Sequence, residues 1–252
     1  MNSNELHHLL SQFQSGELSL DRAVELLQTP PVAELGFAQV DLERRDRCGF
    51  PEVIFCEGKT ALWVEGVVRR LLQAGQDCLA TRLNGEQIAH LTPLFPQAAI
   101  DSLGRTFWLP QPGIRPAPTG KVLVVTAGTS DLPVAQEALV TAKALGTEAE
   151  LLIDVGVAGI HRLLRHREKL THADVVIVVA GMDGALPSVV GGLVDCPVIA
   201  VPTSIGYGTA FQGVAPLLTM LNSCSANVVV VNIDAGFKAG YTAALIARRG
   251  KR

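Results

Sequence analysis

Apolar runs and helical patterns alternate along the chain from residue 121 onward. Short runs of consecutive apolar residues predict buried strands, and apolar residues spaced three and four apart predict helices between them. The predicted strands are 121–127, 149–154, 175–181, 197–201 and 228–233, and the predicted helices are 131–146, 159–169, 186–194, 210–222 and 237–249. Strand–helix units repeated in this way predict an α/β fold, a parallel sheet that helices cover on both faces.

The first part of the chain has shorter and more varied patterns. Leu6 to Phe13 and Leu20 to Leu27 carry apolar residues at helical spacing, with Ser19 placed to cap the second helix. Thr60 is placed to cap another helix, and Cys78 to Thr81 predicts a strand. The apolar face of the Thr60 helix consists of Val64, Val67, Val68 and Leu71. Small strands mixed with helices predict an α+β domain over residues 1–109.

Residues 110–120 separate these two patterns. The segment holds four prolines and two glycines, a composition that excludes a helix or a central strand. Prolines make a linker semi-rigid, so we expect the two domains to keep a limited range of orientations. The predicted organisation is a small α+β domain (1–109), a linker (110–120) and an α/β domain (121–252).

Composition narrows the classes of protein. Of 252 residues, 48% are hydrophobic and 18% are charged, with a net charge of -3, as in ordinary globular proteins. This mildly acidic total favours neither nucleic-acid nor membrane-surface binding. The five cysteines are odd in number and lack C-x-x-C spacing, so they predict neither a metal site nor a disulfide framework. We find no charged-then-apolar leader and no apolar run of about 18 residues, and we therefore expect a cytoplasmic protein.

Ligands of open parallel sheets bind at the carboxyl ends of the strands, which directs attention to the loops there. The first such loop is Gly128-Thr129-Ser130-Asp131, with Ser130 or Asp131 at a helix N-cap and Pro133 in the first turn. The free N–H groups and positive dipole end of that helix favour a phosphate. The same residues also suit a capped turn that binds nothing.

Two further loops follow later strands. Gly181-Met182-Asp183-Gly184-Ala185-Leu186 places one carboxylate in a turn of small residues, where Asp183 is either a catalytic group or a capping residue. Thr203-Ser204-Ile205-Gly206-Tyr207-Gly208 offers hydroxyl groups and glycines suited to a ribose or a phosphate, without the spacing of a dinucleotide fingerprint.

Cys224 differs from the other cysteines in its sequence surroundings. Val214, Leu217, Leu218 and Leu221 predict a buried face on the preceding helix, and Cys224 then lies among Asn and Ser in a polar loop. Cys48, Cys56, Cys78 and Cys196 lie in or beside predicted strands and are interpreted as small buried hydrophobic residues. Cys224 is either a reactive thiol or a bystander in its loop.

Several of these motifs together resemble the LarB family, pyridinium-3,5-biscarboxylic acid mononucleotide synthase, which acts in the biosynthesis of a nickel-pincer nucleotide cofactor. They are Gly128-Thr129-Ser130-Asp131, Ala180 to Ser188, Val201 to Gly208, and Leu221-Asn222-Ser223-Cys224, with Gly49 to Val53 and Gly58-Lys59-Thr60 in the first domain. The second domain of that family is similar in turn to the aminoimidazole ribonucleotide (AIR) carboxylases, which implies a PurE-like or flavodoxin-like sheet.

The resemblance implies that nicotinic acid adenine dinucleotide is carboxylated at C5 of its pyridinium ring and hydrolysed to release AMP. Carbon dioxide or bicarbonate is the co-substrate; no tightly bound cofactor is implied, and whether Mg²⁺ assists is open. The implied partner is a second copy of the chain, in a homo-octamer. The implied substrate-binding residues are Gly128, Thr129, Ser130, Asp131, Gly181, Met182, Gly184, Ala185, Leu186, Thr203, Ser204, Gly206, Tyr207 and Gly208.

The same resemblance assigns the catalytic roles. Cys224 adds to C6 of the ring, because a thiolate adduct makes C5 nucleophilic enough to attack carbon dioxide. Asp183 removes the C5 proton so that the thiolate leaves. The family pattern leads us to expect Glu at this position, and Asp is one methylene shorter.

Two alternatives from other classes stay open. An AIR carboxylase or mutase would bind an imidazole nucleotide and need no cysteine, and a non-catalytic nucleotide-binding module would tolerate loss of Cys224. AIR carboxylases use a histidine in a Ser-Ala-His-Arg turn, whereas this chain has His161-Arg162 several residues further along. We do not assign that catalytic role to His161, which also suits a surface position on a basic helix.

Overall fold

The computed structural model describes residues 3–27, 32–113 and 117–250. Residues 114–116 of the predicted linker lie outside this range. Two helices come first, α1 (Ser3–Gln14) and α2 (Leu20–Leu27), and the Ser19 hydroxyl accepts a hydrogen bond from Arg22 N at 3.3 Å, as the predicted cap requires. The apolar positions of α1 are mostly solvent-exposed, and Leu9 is the buried one among them.

A small mixed α+β unit follows, as predicted. Strands β1 (Val32–Glu34) and β2 (Gln39–Asp41) form an antiparallel pair. The next elements are α3 (Arg44–Cys48), β3 (Val53–Phe55), α4 (Ala61–Gln73), β4 (Cys78–Thr81), α5 (Gly85–Leu94), β5 (Ala99–Asp101) and β6 (Thr106–Leu109). Strands β3 to β6 form a four-stranded mixed sheet in the order β3-β4-β6-β5, in which β3 and β4 are parallel.

Helix α4 packs on the mixed sheet through the predicted face. Thr60 caps it, since its hydroxyl accepts from Trp63 N at 3.2 Å. The four apolar residues of the predicted face, Val64, Val67, Val68 and Leu71, are all buried. These contacts confirm that local pattern alone identified both the start and the buried side of this helix.

The second unit is a five-stranded parallel sheet with helices on both faces. Its elements are β7 (Lys121–Thr126), α6 (Leu132–Ala144), β8 (Glu148–Leu152), α7 (Ile160–Leu164), α8 (Arg167–Thr171), β9 (Val175–Ala180), α9 (Leu186–Gly191), β10 (Val198–Pro202), α10 (Val214–Leu221), β11 (Val228–Val230) and α11 (Gly236–Arg249). The strand order is β11-β10-β9-β7-β8. Helices α6 and α11 cover one face and α7 to α10 the other, which confirms the predicted α/β fold.

Two predicted helices are interrupted. The helix predicted over 159–169 is two short helices, α7 and α8, with a turn between them. The helix predicted over 210–222 begins only at Val214, because Phe211 and Gln212 have positive φ angles of 44° and 52° that no α-helix contains. Strand β11, predicted over 228–233, ends at Val230 before the chain turns.

The prediction of which face of α10 is buried is wrong. Pro216 and Met220 are the buried residues of this helix, whereas Val214, Leu218 and Leu221 are 42%, 54% and 61% exposed. Two apolar faces are present, and the sequence pattern does not say which of them meets the sheet. The outer apolar face of α10 is therefore open to solvent in a single chain.

The two sheets are joined by an apolar interface. Phe50, Leu79 and Trp108 from the mixed-sheet unit pack with α6 and α11, including Leu145 and Ala244. Among the described residues, no helix is both long and apolar enough to span a bilayer.

Candidate active site

Asp131 lies at the centre of the carboxyl edge of the parallel sheet, where the strand-end loops meet. Its Oδ1 accepts from Thr203 Oγ1 at 2.8 Å and its Oδ2 accepts from Gly128 N at 2.9 Å. The Gly181 amide also donates to this carboxylate. One buried side chain thus joins the loops that follow β7, β9 and β10, which are the three loops that sequence analysis had selected.

Burial raises the pKa of Asp131, and the nearby charge of Asp234 raises it further. The hydrogen bonds from Thr203, Gly128 and Gly181 act in the opposite direction, because they stabilise the carboxylate. These bonds occupy both oxygens of Asp131, whose residue is only 4% exposed. The buried Asp131 carboxylate therefore fixes the conformation of the turn that begins at Gly128.

Thr129 and Ser130 are the exposed members of the same turn. They belong to a 3₁₀ turn, Thr129–Asp131, that leads directly into α6 with Pro133 in its first turn. Helix α6 has 13 residues, and its positive dipole end lies at the carboxyl edge. The backbone N–H groups and two hydroxyls of this turn form a cradle suited to a phosphate.

The loop after β9 is held in a tight conformation. Met182 has φ 53° and donates its backbone N–H to Ile205 O at 3.1 Å. A Cβ on Gly181 would lie 2.3 Å from that same carbonyl oxygen, so a side chain has no room there. Leu186 is buried in the core beneath this loop. The loops after β9 and β10 therefore touch through backbone atoms.

Asp183 lies exposed at the tip of the β9 loop. One oxygen, Oδ1, accepts from Ala185 N at 3.2 Å, which is a local turn contact. No hydrogen bond of Oδ2 is recorded in the described part of the chain, so this carboxylate is free to meet a ligand. The structure shows the turn contact, and the catalytic role of Asp183 stays a prediction.

The loop after β10 is buried at its start and open afterwards. Thr203 is fully buried, whereas Ser204 to Thr209 are exposed and Tyr207 is 81% exposed. Gly206 and Gly208 lie in this exposed part, and Gly206 is close to Met182 of the neighbouring loop. The predicted ribose-binding or phosphate-binding loop is thus accessible along most of its length.

Sequence analysis did not select Asp234 as a site residue. Asp234 follows β11, has φ 56°, and accepts from Ser204 N through Oδ1 at 2.8 Å. Its backbone carbonyl accepts from Arg82 Nη2, and Arg82 Nε donates to Glu137 Oε1 at 2.9 Å. Because Arg82 and Asp234 are 152 positions apart, no local pattern could have joined them.

Positive φ angles in residues other than glycine concentrate at this edge. Such conformations cost free energy and are held by surrounding contacts, and they often occur at functional sites. Seven are found among the described residues, namely Arg82, Arg105, Asp154, Met182, Phe211, Gln212 and Asp234. Five of them follow strands of the parallel sheet, which supports this edge as the candidate active site.

His161 lies exposed on α7, outside the hydrogen-bonded centre of the edge. The neighbouring Arg162 pairs with Asp154, with 2.6 Å between Nη1 and Oδ2. Asp154 also has φ 59° and donates its backbone N–H to Thr126 Oγ1 at 3.0 Å. Arg162, the arginine of the His-Arg pair, is thus paired with a residue of the loop that follows β8.

Cys224 lies at the opposite, amino edge of the sheet. It precedes β11, and Asn227 O accepts from Val198 N at the start of β10. The described hydrogen bonds of the Cys224 loop lead to α9 and the segment that follows it, and none of them joins this loop to Asp131 or Thr203.

The Cys224 loop is nevertheless firmly held. Ser223 Oγ lies 2.8 Å from Ser188 Oγ, and Ser225 Oγ donates to Ser188 O at 2.8 Å. Asn227 Nδ2 donates to three carbonyl oxygens, those of Gly191, Val194 and Cys196. The exposed thiol therefore belongs to a loop that is fixed along α9, from Ser188 in its first turn to Gly191 at its end.

The five cysteines divide by exposure. Cys56, Cys78 and Cys196 are buried as expected, and burial raises the pKa of the Cys56 thiol to about 12. The expectation for Cys48 is wrong, because this residue ends α3 and is exposed. The charged run around α3 leaves no residue of that helix buried, so its cysteine has no core to join.

No group of three or more His, Cys, Asp or Glu residues suited to a metal ion occurs within residues 3–27, 32–113 and 117–250. The polar groups at the carboxyl edge are mainly backbone N–H groups, hydroxyls and separate carboxylates. This set of donors and acceptors suits a phosphorylated ligand with hydroxyl groups.

Comparison with known families divides the chain in two. Residues 32–111 match the LarB/PurE-like N-terminal domain, and residues 121–251 match the AIR carboxylase domain. The second match covers the parallel sheet and every loop of its carboxyl edge.

Two individual relatives come from Methanocaldococcus jannaschii. An uncharacterized protein of this organism is 39% identical in an alignment of 251 positions that covers 96% of this chain and 97% of the relative. An N5-carboxyaminoimidazole ribonucleotide mutase is 34% identical in an alignment of 126 positions that covers 48% of this chain and 75% of the mutase. The uncharacterized relative is therefore similar to this chain over both domains, whereas the mutase is similar to about half of it.

Proposed function

Because the chain belongs to the LarB family and has its carboxylase-type domain, we propose that it carboxylates nicotinic acid adenine dinucleotide at C5 and releases AMP. The product is pyridinium-3,5-biscarboxylic acid mononucleotide. The observation that carries this proposal is the exposed thiol of Cys224 on a hydrogen-bonded loop, since proton and carboxylate transfer on an imidazole nucleotide needs no thiol.

The Cys224 thiolate makes the electron-poor ring able to react. It adds to C6 and forms the C6–S bond, and the π electron pair of the C6=N bond moves to nitrogen, which leaves a dienamine with a nucleophilic C5. C5 then attacks carbon dioxide and forms the new carbon–carbon bond. A thiolate suits this role because it adds readily and also leaves readily.

Asp183 completes the carboxylation. Its free oxygen accepts the C5 proton, the C5 electron pair restores the aromatic ring, and the C6–S bond breaks to release the thiolate. Water then adds to a phosphorus atom of the anhydride, and the bond between the two phosphates breaks to give AMP and the mononucleotide. The exposed turn of Thr129 and Ser130 binds the phosphate of the pyridinium nucleotide.

We propose that a second copy of the chain supplies Cys224 to this site, in a homo-oligomer that we expect to be an octamer. The separation of Cys224 from the carboxyl edge in one chain supports this arrangement. Support also comes from the outer apolar face of α10, since large exposed apolar patches are typical of protein interfaces.

Light scattering at micromolar concentration tests the assembly. We expect a mass of several chains for the parent protein, and a lower mass for Leu218→Glu, which places a charge in the apolar face of α10. The control is Leu62→Glu, because Leu62 is 68% exposed on α4 and far from that face. A parent protein of single-chain mass would contradict the proposal.

The reaction itself is tested with nicotinic acid adenine dinucleotide and ¹³C-bicarbonate, followed by mass spectrometry of the products. We expect AMP and a mononucleotide that carries the labelled carboxyl group. Parallel reactions with a chelator and with added Mg²⁺ measure any assistance from the metal. A protein that leaves the dinucleotide unchanged would contradict the proposal.

The second candidate is an imidazole ribonucleotide mutase, which the 34% identity to the Methanocaldococcus mutase favours. N5-carboxyaminoimidazole ribonucleotide serves as its test substrate. We expect no conversion, and conversion that persists in Cys224→Ser would establish the mutase instead.

A further inference from the structure

Arg82 connects the N-terminal domain to the candidate active site. It follows β4 directly, has φ 60°, and its guanidinium extends to two partners in the other domain. Nε donates to Glu137 Oε1 at 2.9 Å, and Nη2 donates to the backbone carbonyl of Asp234. These two contacts fix both the position and the plane of the guanidinium.

Glu137 provides the rigid base for this contact. It is 2% exposed, and its second oxygen, Oε2, accepts from Phe237 N at 3.1 Å near the start of α11. One buried carboxylate therefore fixes Arg82 and the first turn of α11, and Asp234 lies just before that turn. Because Glu137 is a buried carboxylate, loss of either contact would leave part of its charge without compensation.

A continuous path of contacts leads from Asp234 to the phosphate cradle. Asp234 Oδ1 accepts from Ser204 N at 2.8 Å, and the adjacent Thr203 donates to Asp131 Oδ1 at 2.8 Å. The other oxygen of Asp131 accepts from Gly128 N at 2.9 Å, at the start of the turn. Four hydrogen bonds and one peptide link therefore separate Arg82 from Gly128.

We propose that Arg82 is a positioning residue that holds the nucleotide-binding loops in their binding geometry through the carbonyl of Asp234. This inference rests on the proposed function in one respect, which is that the ligand is a nucleotide. Asp234 has a positive φ angle that requires outside contacts, and Arg82 supplies one of them from another domain. The N-terminal domain then contributes to nucleotide affinity without touching the nucleotide.

Two variants test this role while preserving the fold. Arg82→Lys keeps a positive charge for Glu137 but lacks the fork that reaches both partners. The double variant Arg82→Met/Glu137→Gln removes both charges, so that no unpaired carboxylate is buried, and Gln retains an acceptor for Phe237 N. The matched control is Arg248→Lys, because Arg248 Nη1 donates to a backbone carbonyl, Leu145 O, away from the carboxyl edge.

Three measurements are compared with the parent protein. We expect Arg82→Lys to bind nicotinic acid mononucleotide about tenfold more weakly in calorimetry, the effect of losing one charged hydrogen bond. KM for the dinucleotide should rise with kcat near the parent value, because positioning of a binding turn affects ground and transition states alike. Hydrogen exchange at the Gly128 and Ser204 amides should become faster in both Arg82 variants, with Arg248→Lys unchanged.

The outcomes separate this inference from the proposed function. Arg82 variants that keep the parent affinity, KM and amide exchange would overturn the positioning role. If the parent protein binds no nucleotide, the proposed function fails, and amide exchange at Gly128 and Ser204 alone decides whether Arg82 holds these loops. If the double variant does not fold, Arg82→Lys decides the question.

Discussion

The carboxyl and amino edges of the parallel sheet differ in how complete they are within one chain. At the carboxyl edge, Asp131, Thr203 and Asp234 join the loops through buried or half-buried polar contacts. At the amino edge, Cys224 projects from a well-held loop beside the exposed apolar residues of α10. One edge joins its strand-end loops through side-chain hydrogen bonds, and the other presents an exposed thiol with no hydrogen-bond partner among the described residues of its own chain.

This difference shows how the chemistry can be divided. Nucleotide binding needs many weak contacts in fixed positions, which one chain supplies at the ends of its strands. A covalent nucleophile needs only one atom in the correct place, and a neighbouring copy can supply it. The four predictions below test this division, beginning with the largest effect.

The largest effect is expected for Cys224→Ser. We expect carboxylation to fall by at least about 10³-fold, because a serine hydroxyl is poorly ionised and its alkoxide leaves poorly. The measurement is the product yield, together with intact-protein mass and peptide mapping after substrate is added without bicarbonate. The matched control is Cys48→Ser, since Cys48 is also exposed. A nucleotide adduct on any other residue would contradict the assignment.

Asp183→Asn should slow turnover by about 10²-fold to 10⁴-fold, because Asn cannot accept a proton. Nucleotide affinity should stay close to that of the parent, since Asn retains an oxygen for the contact with Ala185 N. Steady-state kinetics and calorimetry measure the two effects separately. Full turnover in this variant would make Asp183 a turn residue only and would move the base elsewhere.

A mixture of the two inactive variants tests the division directly. If one copy supplies Cys224 and another supplies Asp183, random assembly of Cys224→Ser with Asp183→Asn chains restores about a quarter of the sites. Co-expression with two affinity tags isolates the mixed oligomers for assay. As a control, Cys224→Ser is paired with Cys224→Ser/Asp183→Asn, a mixture that contains no Cys224 and restores no site. Mixed oligomers without activity would show that both residues act within one chain.

The smallest effect concerns thiol reactivity in the parent protein. We expect iodoacetamide at pH 8 to label the two exposed thiols, Cys48 and Cys224, and to spare the three buried ones. The buried Cys56 has a pKa of about 12 and is almost entirely protonated at this pH. Nicotinic acid mononucleotide should slow labelling of Cys224 only. Equal protection of Cys48, measured by peptide mapping, would contradict a site at Cys224.

Much of the fold could be predicted because its signals are local. Consecutive apolar residues identified all five parallel strands, and the Thr60 hydroxyl identified the start of α4. The interruption at Phe211 and Gln212 could not be predicted, because neither residue type signals a positive φ angle. The exposed side of α10 also escaped prediction, since both of its faces are apolar.

The candidate site divides in the same way. Asp131 and Asp183 were predicted as site residues because they lie in loops that follow strands of a parallel sheet, where ligands of such sheets bind. That same rule places Cys224, which precedes a strand, at the opposite edge. Arg82 and Glu137 escaped detection because their roles depend on contacts between residues 55 and 152 positions apart, for which the sequence contains no local signal.

The packing of α11 on α6 has a consequence for synthesis of the protein on the ribosome. A Cβ on Gly240 would lie 2.4 Å from Ala138 O, so the two helices meet at backbone distance, and Phe237 and Ala244 complete the interface with Leu79. Helix α11 is translated roughly 150 residues after Arg82, which takes about 8 to 30 s at typical rates of synthesis. Throughout that interval Leu79 and Trp108 lack part of their cover, and the nascent chain presents an apolar surface to chaperones.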